Sequence, residues 1–128
     1  KEDIQIVNFP DIEIYIKNLN TIEINAWLGT CWEASSINQI GPTAVVQLCN
    51  AERELECRIL ENAIEPGFTS IFFSPNKTKW ETDLQCARDA FTYFQLEVRC
   101  STGGWNENSN EDEEWFKIDS DGIHRIKW

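Results

Sequence analysis

The chain has no hydrophobic run approaching the roughly 18 residues that a membrane-spanning helix needs, so no transmembrane anchoring is expected. Histidine is nearly absent: His124 stands alone, which excludes a histidine-rich zinc or iron centre. There is no G-x-S-x-G nucleophile elbow, no phosphate-binding P-loop, no glycine-rich dinucleotide fingerprint and no H-E-x-x-H helix. Positive charge is scarce, with 11 Lys and Arg against 22 Asp and Glu and a formal net charge of -11. Such a chain repels phosphate backbones and anionic lipid surfaces, so nucleic acid is not an expected partner. No secretory leader is visible either, although a processed extracellular chain has none. No repeat or linker divides the 128 residues, and a single domain over 1–128 is expected.

What is present suits a packed core, with 41% hydrophobic and 12% aromatic residues. The five cysteines lack the C-x-x-C spacing of redox or zinc sites and read as a disulfide framework. Cys49 and Cys57 flank an expected hairpin, and Cys86 and Cys100 can tie a helix to the strand after it. Cys31 is then left unpaired. Disulfides of this kind place the protein in a secreted or extracellular setting, each contributing about 2 to 4 kcal/mol. Asn76-Lys77-Thr78 fits the N-glycosylation acceptor pattern and makes Asn76 the candidate attachment site of a glycoprotein.

Period-two alternation dominates the chain. Ile12, Ile14 and Ile16 alternate with polar or amphipathic neighbours, as in a half-buried strand, and Ile4-Gln5-Ile6 reads as an earlier one. Thr21-Ile22-Glu23-Ile24-Asn25 alternates as well, and the turn Asn18-Leu19-Asn20 would join it to the first strand as a hairpin. Further strands are expected at Thr43–Cys49, Leu55–Leu60, Phe68–Phe73 and Thr92–Cys100. In the tail, Asp121-Gly122 is a strong hairpin signal that would set Trp115 opposite Trp128. Only Thr82–Phe91 reads as a helix, with Thr82 and Gln85 at capping-box spacing and Leu84, Ala87, Ala90 and Phe91 on one face. Many short strands and one short helix point to an antiparallel two-sheet β-sandwich, with a partly closed β-barrel as the alternative and an α+β layer around the segment near Leu84 third.

The most distinctive polar stretch runs from Gly103 to Glu114. Asn106, Asn108 and Asn110 begin with the spacing of a calcium-binding hand loop. Glu111 then stands where the turn requires glycine, and Lys117 where the closing glutamate belongs, so no metal or cofactor is expected. Trp105 amid polar neighbours can fill a partner's pocket, while Glu107, Glu111, Asp112, Glu113 and Glu114 can steer a basic surface toward it. Trp27 and Trp32, around Gly29, suggest one ring in the core and another covering an edge or opening a groove. With no assembled reaction machinery, the sequence points to a non-enzymatic secreted recognition protein. Its expected partner is an extracellular or host protein with a basic surface; a carbohydrate is the alternative, and glycosidase chemistry a distant third.

Overall fold

A computed structural model describes residues 9–51, 53–64, 67–102 and 114–128. The described elements are β1 (Ile12–Lys17), α1 (Thr21–Cys31), β2 (Ala34–Ile40), β3 (Thr43–Asn50), β4 (Arg53–Ile64), β5 (Phe68–Ser74), α2 (Asp83–Phe94), β6 (Val98–Ser101), β7 (Glu114–Asp119) and β8 (Gly122–Lys127). The strands form one open antiparallel sheet in the order β2-β3-β4-β5-β1-β6-β7-β8. The expected two-sheet sandwich and its barrel alternative are therefore both incorrect, and two helices rather than one accompany the sheet. The proposed strand at Ile4–Ile6 lies outside the described residues.

The error begins at Thr21. Ile22 and Ile24 alternate, but Asn20 caps a helix: its side chain accepts from the Glu23 amide at 2.8 Å, and the Glu23 carboxylate accepts the Asn20 amide. That reciprocal pair satisfies two amides that the first helical turn would otherwise leave open. Ile22 is consequently 80% exposed, whereas Ile24, Trp27 and Leu28 follow helical spacing and are buried. The expected hairpin is thus a strand followed by a helix. A helix forms after Thr82, whose hydroxyl accepts the Gln85 amide, but α2 runs on to Phe94 and takes the first three residues of the strand expected at Thr92–Cys100, of which only Val98–Cys100 lies in β6.

The register shows where the core sits. Val46, Cys57, Phe73 and Ile12 are successive partners across β3, β4, β5 and β1 and share one face; Ala44, Ile59, Ile71 and Ile14 form the next row. Ile16, Val98 and Ile118 carry that face across β6 and β7. All these side chains are buried, and they form one cluster with Ile24, Trp27 and Leu28 of α1 and Cys86, Ala87 and Ala90 of α2. Both helices therefore cover the same side of the sheet. The small side chains of α2 allow it to lie close to the strands. Trp27 and Trp32 are both core residues, stacked on Trp80 and Phe73 at 5.6 and 5.7 Å, and Trp32 also borders a small cavity beside Cys31.

No two cysteines approach within 4.5 Å, and all five thiols are free, which overturns the proposed Cys49–Cys57 and Cys86–Cys100 bridges. For the first pair the reason is parity. Cys49 faces Glu54 in the ladder, while Cys57 faces Val46, so the two side chains leave opposite faces of the sheet. Cys57, Cys86 and Cys100 instead fill the core as small apolar groups. Burial pushes all three thiols up, Cys100 to about 12, and the Asp83 charge adds to the effect at Cys86 and Cys100.

The C-terminal hairpin is offset by two residues from the expected pairing. Asp119 pairs with Gly122, which adopts φ +123°, and Trp115 pairs with Ile126 rather than Trp128. A shift of two preserves the face, so the two indoles still meet, with centroids 5.0 Å apart.

Asp83, 8% exposed, anchors α2 to the central strand. The β1–β6 register covers Tyr15 and Ile16, and two residues before it the Glu13 amide donates to Asp83 Oδ1 at 3.1 Å. Burial raises the Asp83 carboxyl from 3.8 to about 6; that backbone hydrogen bond opposes the shift, and the charges of Glu13 and Asp11 reinforce it. Between these values the native state holds a proton that the unfolded chain has released. The stabilisation is complete below about pH 4 and is lost as pH rises through 6. Asp83→Asn keeps an acceptor for Glu13 and is expected to raise stability at pH 7.5 by on the order of 2 kcal/mol, with the advantage vanishing toward pH 4. Thermal denaturation across that range measures it, and an Asp83→Asn advantage independent of pH would refute the assignment.

Candidate functional site

Helices cover one face of the sheet, and the other carries a different chemistry. Ser70, Tyr15, Arg99, Lys117 and His124 lie in register across β5, β1, β6, β7 and β8 on the helix-free side. Alternation puts Glu13, Phe68 and Trp115 on that side too. Trp128 follows β8 and reaches back to this group, its ring 4.8 Å from Phe68 and 5.6 Å from Tyr15. Tyr15 and Trp115 meet edge to face at 5.6 Å. Four aromatic residues from β5, β1, β7 and the C-terminus thus converge over the strands.

Arg99 is held inside this group. Its guanidinium lies 4.5 Å from the Trp128 ring and 4.8 Å from the Phe68 ring, and its Nε donates to Glu97 Oε2 at 2.7 Å. Only 16% of the Arg99 side chain and 18% of that of Glu97 are exposed, so the pair is shielded from solvent in a way that surface ion pairs are not. Tyr15 and Ser70 both donate to Glu13 Oε2, each at 3.1 Å. Burial, followed by the Glu13 charge, raises the Tyr15 hydroxyl to about 12, so Tyr15 remains a donor at neutral pH. Trp115 Nε1 is buried without a hydrogen-bond partner among the described residues. A buried donor left unpaired costs about 1 to 3 kcal/mol, so this indole N–H is a local cost within the aromatic group.

Around this group the charges are mutually paired. Lys117 and His124 both approach Asp119, at 3.8 and 3.3 Å. The Asp121 amide, then His124 and Lys117, hold the Asp119 carboxyl below the usual range. His124 therefore sits exposed beside the turn, its Nε2 next to Asp119 Oδ1. Farther along the sheet Arg58 pairs with Glu56 and holds its carboxyl below the usual range.

The positions singled out in the sequence are dispersed. Trp105, Glu107, Glu111, Asp112 and Glu113 lie outside the described residues. Glu114 begins β7, is exposed, and accepts from Arg125 Nη1 at 3.1 Å. The acidic run of the sequence joins β6 to β7, the strands that carry Arg99 and Trp115. Asn76 is partly buried: its Nδ2 donates to the Phe9 and Trp80 carbonyls at 2.8 and 2.9 Å, and its Oδ1 accepts from the Thr78 amide and hydroxyl. Attachment of a glycan at that nitrogen requires one of those donations to be given up. Cys31 borders a small cavity of about 100 Å³ with Arg53, Lys77 and Lys79, well away from the aromatic group. Among the described residues no cluster of three or more His, Cys, Asp or Glu is placed to hold a metal ion.

The group at Tyr15, Phe68, Arg99, Trp115 and Trp128 was not singled out as a site in the sequence. Its signal was present in the alternation: Tyr15, Phe68, Arg99 and Trp115 occupy the non-core phase of their strands, where large aromatics and arginine are unusual unless something covers them. Trp115→Phe removes the unpaired donor while keeping the ring contacts. It is expected to be neutral or stabilising by up to about 1 kcal/mol, whereas Trp115→Ala loses packing and destabilises; denaturant titration of the two variants checks the order. Alkylation should modify half-buried Cys31 and Cys49 in the native protein and Cys57, Cys86 and Cys100 only after unfolding, as read by intact mass and peptide mapping. Comparison with protein-family models, curated proteins and solved structures found no match to the chain.

Proposed function

We propose that this domain is a non-enzymatic recognition module that binds another protein through the helix-free face of its sheet. The observation that carries the reading is the Tyr15–Phe68–Arg99–Trp115–Trp128 group. Tryptophan, tyrosine and arginine are the residues that dominate binding hot spots, because each couples a large apolar body to a polar handle. Here they form a pre-organised patch containing an unpaired indole donor. The acidic run from Glu107 to Glu114 joins the two strands beside it and can draw a basic partner toward it.

The protein reading is preferred to the carbohydrate one on ring geometry. A pyranose stacks on a broad, bare aromatic face, whereas Trp128 is already engaged by Arg99 and by the rings of Phe68, Tyr15 and Trp115. A peptide segment can use the rim of such a group. The proposal assigns no compartment, because the extracellular expectation drew its weight from disulfides and the thiols are free. Among the described residues no helix is long and apolar enough to cross a membrane.

Affinity capture with the immobilised chain, followed by purified binding measurements, tests the reading. A saturable protein partner is expected, with affinity falling roughly 10- to 100-fold on Trp115→Ala while circular dichroism remains native. Neutralising Glu111, Asp112, Glu113 and Glu114 together should mainly slow association and flatten its salt dependence. A partner that binds Trp115→Ala unchanged would remove this face from the account. Saturable binding to a glycan array with no protein partner would shift it to carbohydrate.

A further inference from the structure

Among the described residues the open sheet ends in two edges of different character. At one end β8 contains His124, Arg125 and Lys127, the kind of charged edge that discourages pairing with another strand. At the other, β2 reads Ala34-Ser35-Ser36-Ile37-Asn38-Gln39-Ile40, with neither charge nor proline. Its register against β3 is continuous from Ala34 opposite Cys49 to Ile40 opposite Thr43, so no bulge turns the edge away. Ile37 and Ile40 are 49% and 59% exposed. A seven-residue edge without these protections presents a row of outward amides and carbonyls ready for another strand.

We propose that the domain self-associates through β2, which pairs antiparallel with β2 of a second copy across a two-fold axis to extend the sheet. An antiparallel strand is complementary to itself under two-fold symmetry, and a centre on Ile37 needs no rearrangement. In that register Ile37 meets its own counterpart, Asn38 meets Ser36, Gln39 meets Ser35 and Ile40 meets Ala34. Glu33 comes opposite Gly41 of the other copy, so the two acidic flanks lie at opposite ends of the seam. Charge selects this edge as well. A chain of formal charge -11 repels its copy over most approaches, and β2 offers an uncharged line of contact. One strand pair forms a modest interface, so a dimer in roughly the micromolar to millimolar range is expected. The sheet is extended in its own plane, and the helix-free face carrying Trp115 remains available.

Sedimentation of the purified chain over a wide concentration range, combined with hydrogen exchange at low and high concentration, tests this. The dimer fraction should rise with concentration, and the alternate β2 amides that point away from β3 should exchange roughly 10-fold more slowly in the concentrated sample. Added salt should strengthen association, because it screens repulsion between two acidic chains rather than weakening attractive ion pairs. Ile37→Lys places like charges on the axis and should give a monomer, and Ile40→Lys should weaken the dimer at least about 10-fold. Ile123→Lys on β8 and Trp115→Ala on the open face should leave it intact. A concentration-independent monomer, or a dimer that survives Ile37→Lys with β2 amides unprotected, would overturn the proposal without bearing on the open-face reading.

Discussion

Three isoleucines on one strand must be dry at once, and the rest of the architecture follows from how that is achieved. Ile12, Ile14 and Ile16 are each 0% exposed. Alternation points all three to one side of β1, and a strand can bury such a row only with strands on both flanks and a layer above. β5 and β6 supply the flanks, and α2 lies above. β1 therefore enters the middle of the sheet and joins two meanders, β2-β3-β4-β5 and β6-β7-β8, into one surface. Asp83 completes the junction at the Glu13 amide, where the hydrogen bond to a buried carboxylate substitutes for a strand.

Covering one side of eight strands requires two helices, and this explains how the sequence misled. The strands at Ile12, Thr43, Leu55 and Phe68 and the helix at Thr82 were legible because a period of two or a cap marked each of them. At Thr21–Asn25 five residues fit both periods. Asn20 and Glu23 held the deciding signal, a reciprocal cap that outweighs a short alternation. Once α1 is read as a strand, one helix cannot cover the sheet, and a second sheet becomes the obvious layer. The sandwich was a consequence of that single misreading.

The cysteines show a second limit. Spacing along the chain placed Cys49 and Cys57 near a common turn, but faces are set by register, and the register sends them to opposite sides. The same rule explains why the two-residue offset in the terminal hairpin was harmless to the Trp115–Trp128 contact, as an even shift leaves every side chain on its face. The open-face group was hidden for a further reason. Tyr15, Arg99 and Trp115 could each be assigned to the non-core phase, but their convergence depends on β1 lying between β5 and β6, a long-range pairing that no local pattern encodes. The proposed recognition role rests on that convergence, since without it the aromatic residues would be scattered over separate strands.

The insertion of β1 between the two meanders is best tested by cross-strand nuclear Overhauser contacts on the native protein. The account predicts backbone contacts from β1 to both neighbours at once: Ile14 with Ile71 on one side, and Tyr15 with Arg99 together with Ile16 with Val98 on the other. Contacts from β1 to residues 21–25 in place of either set, as a β1 hairpin would give, would contradict it.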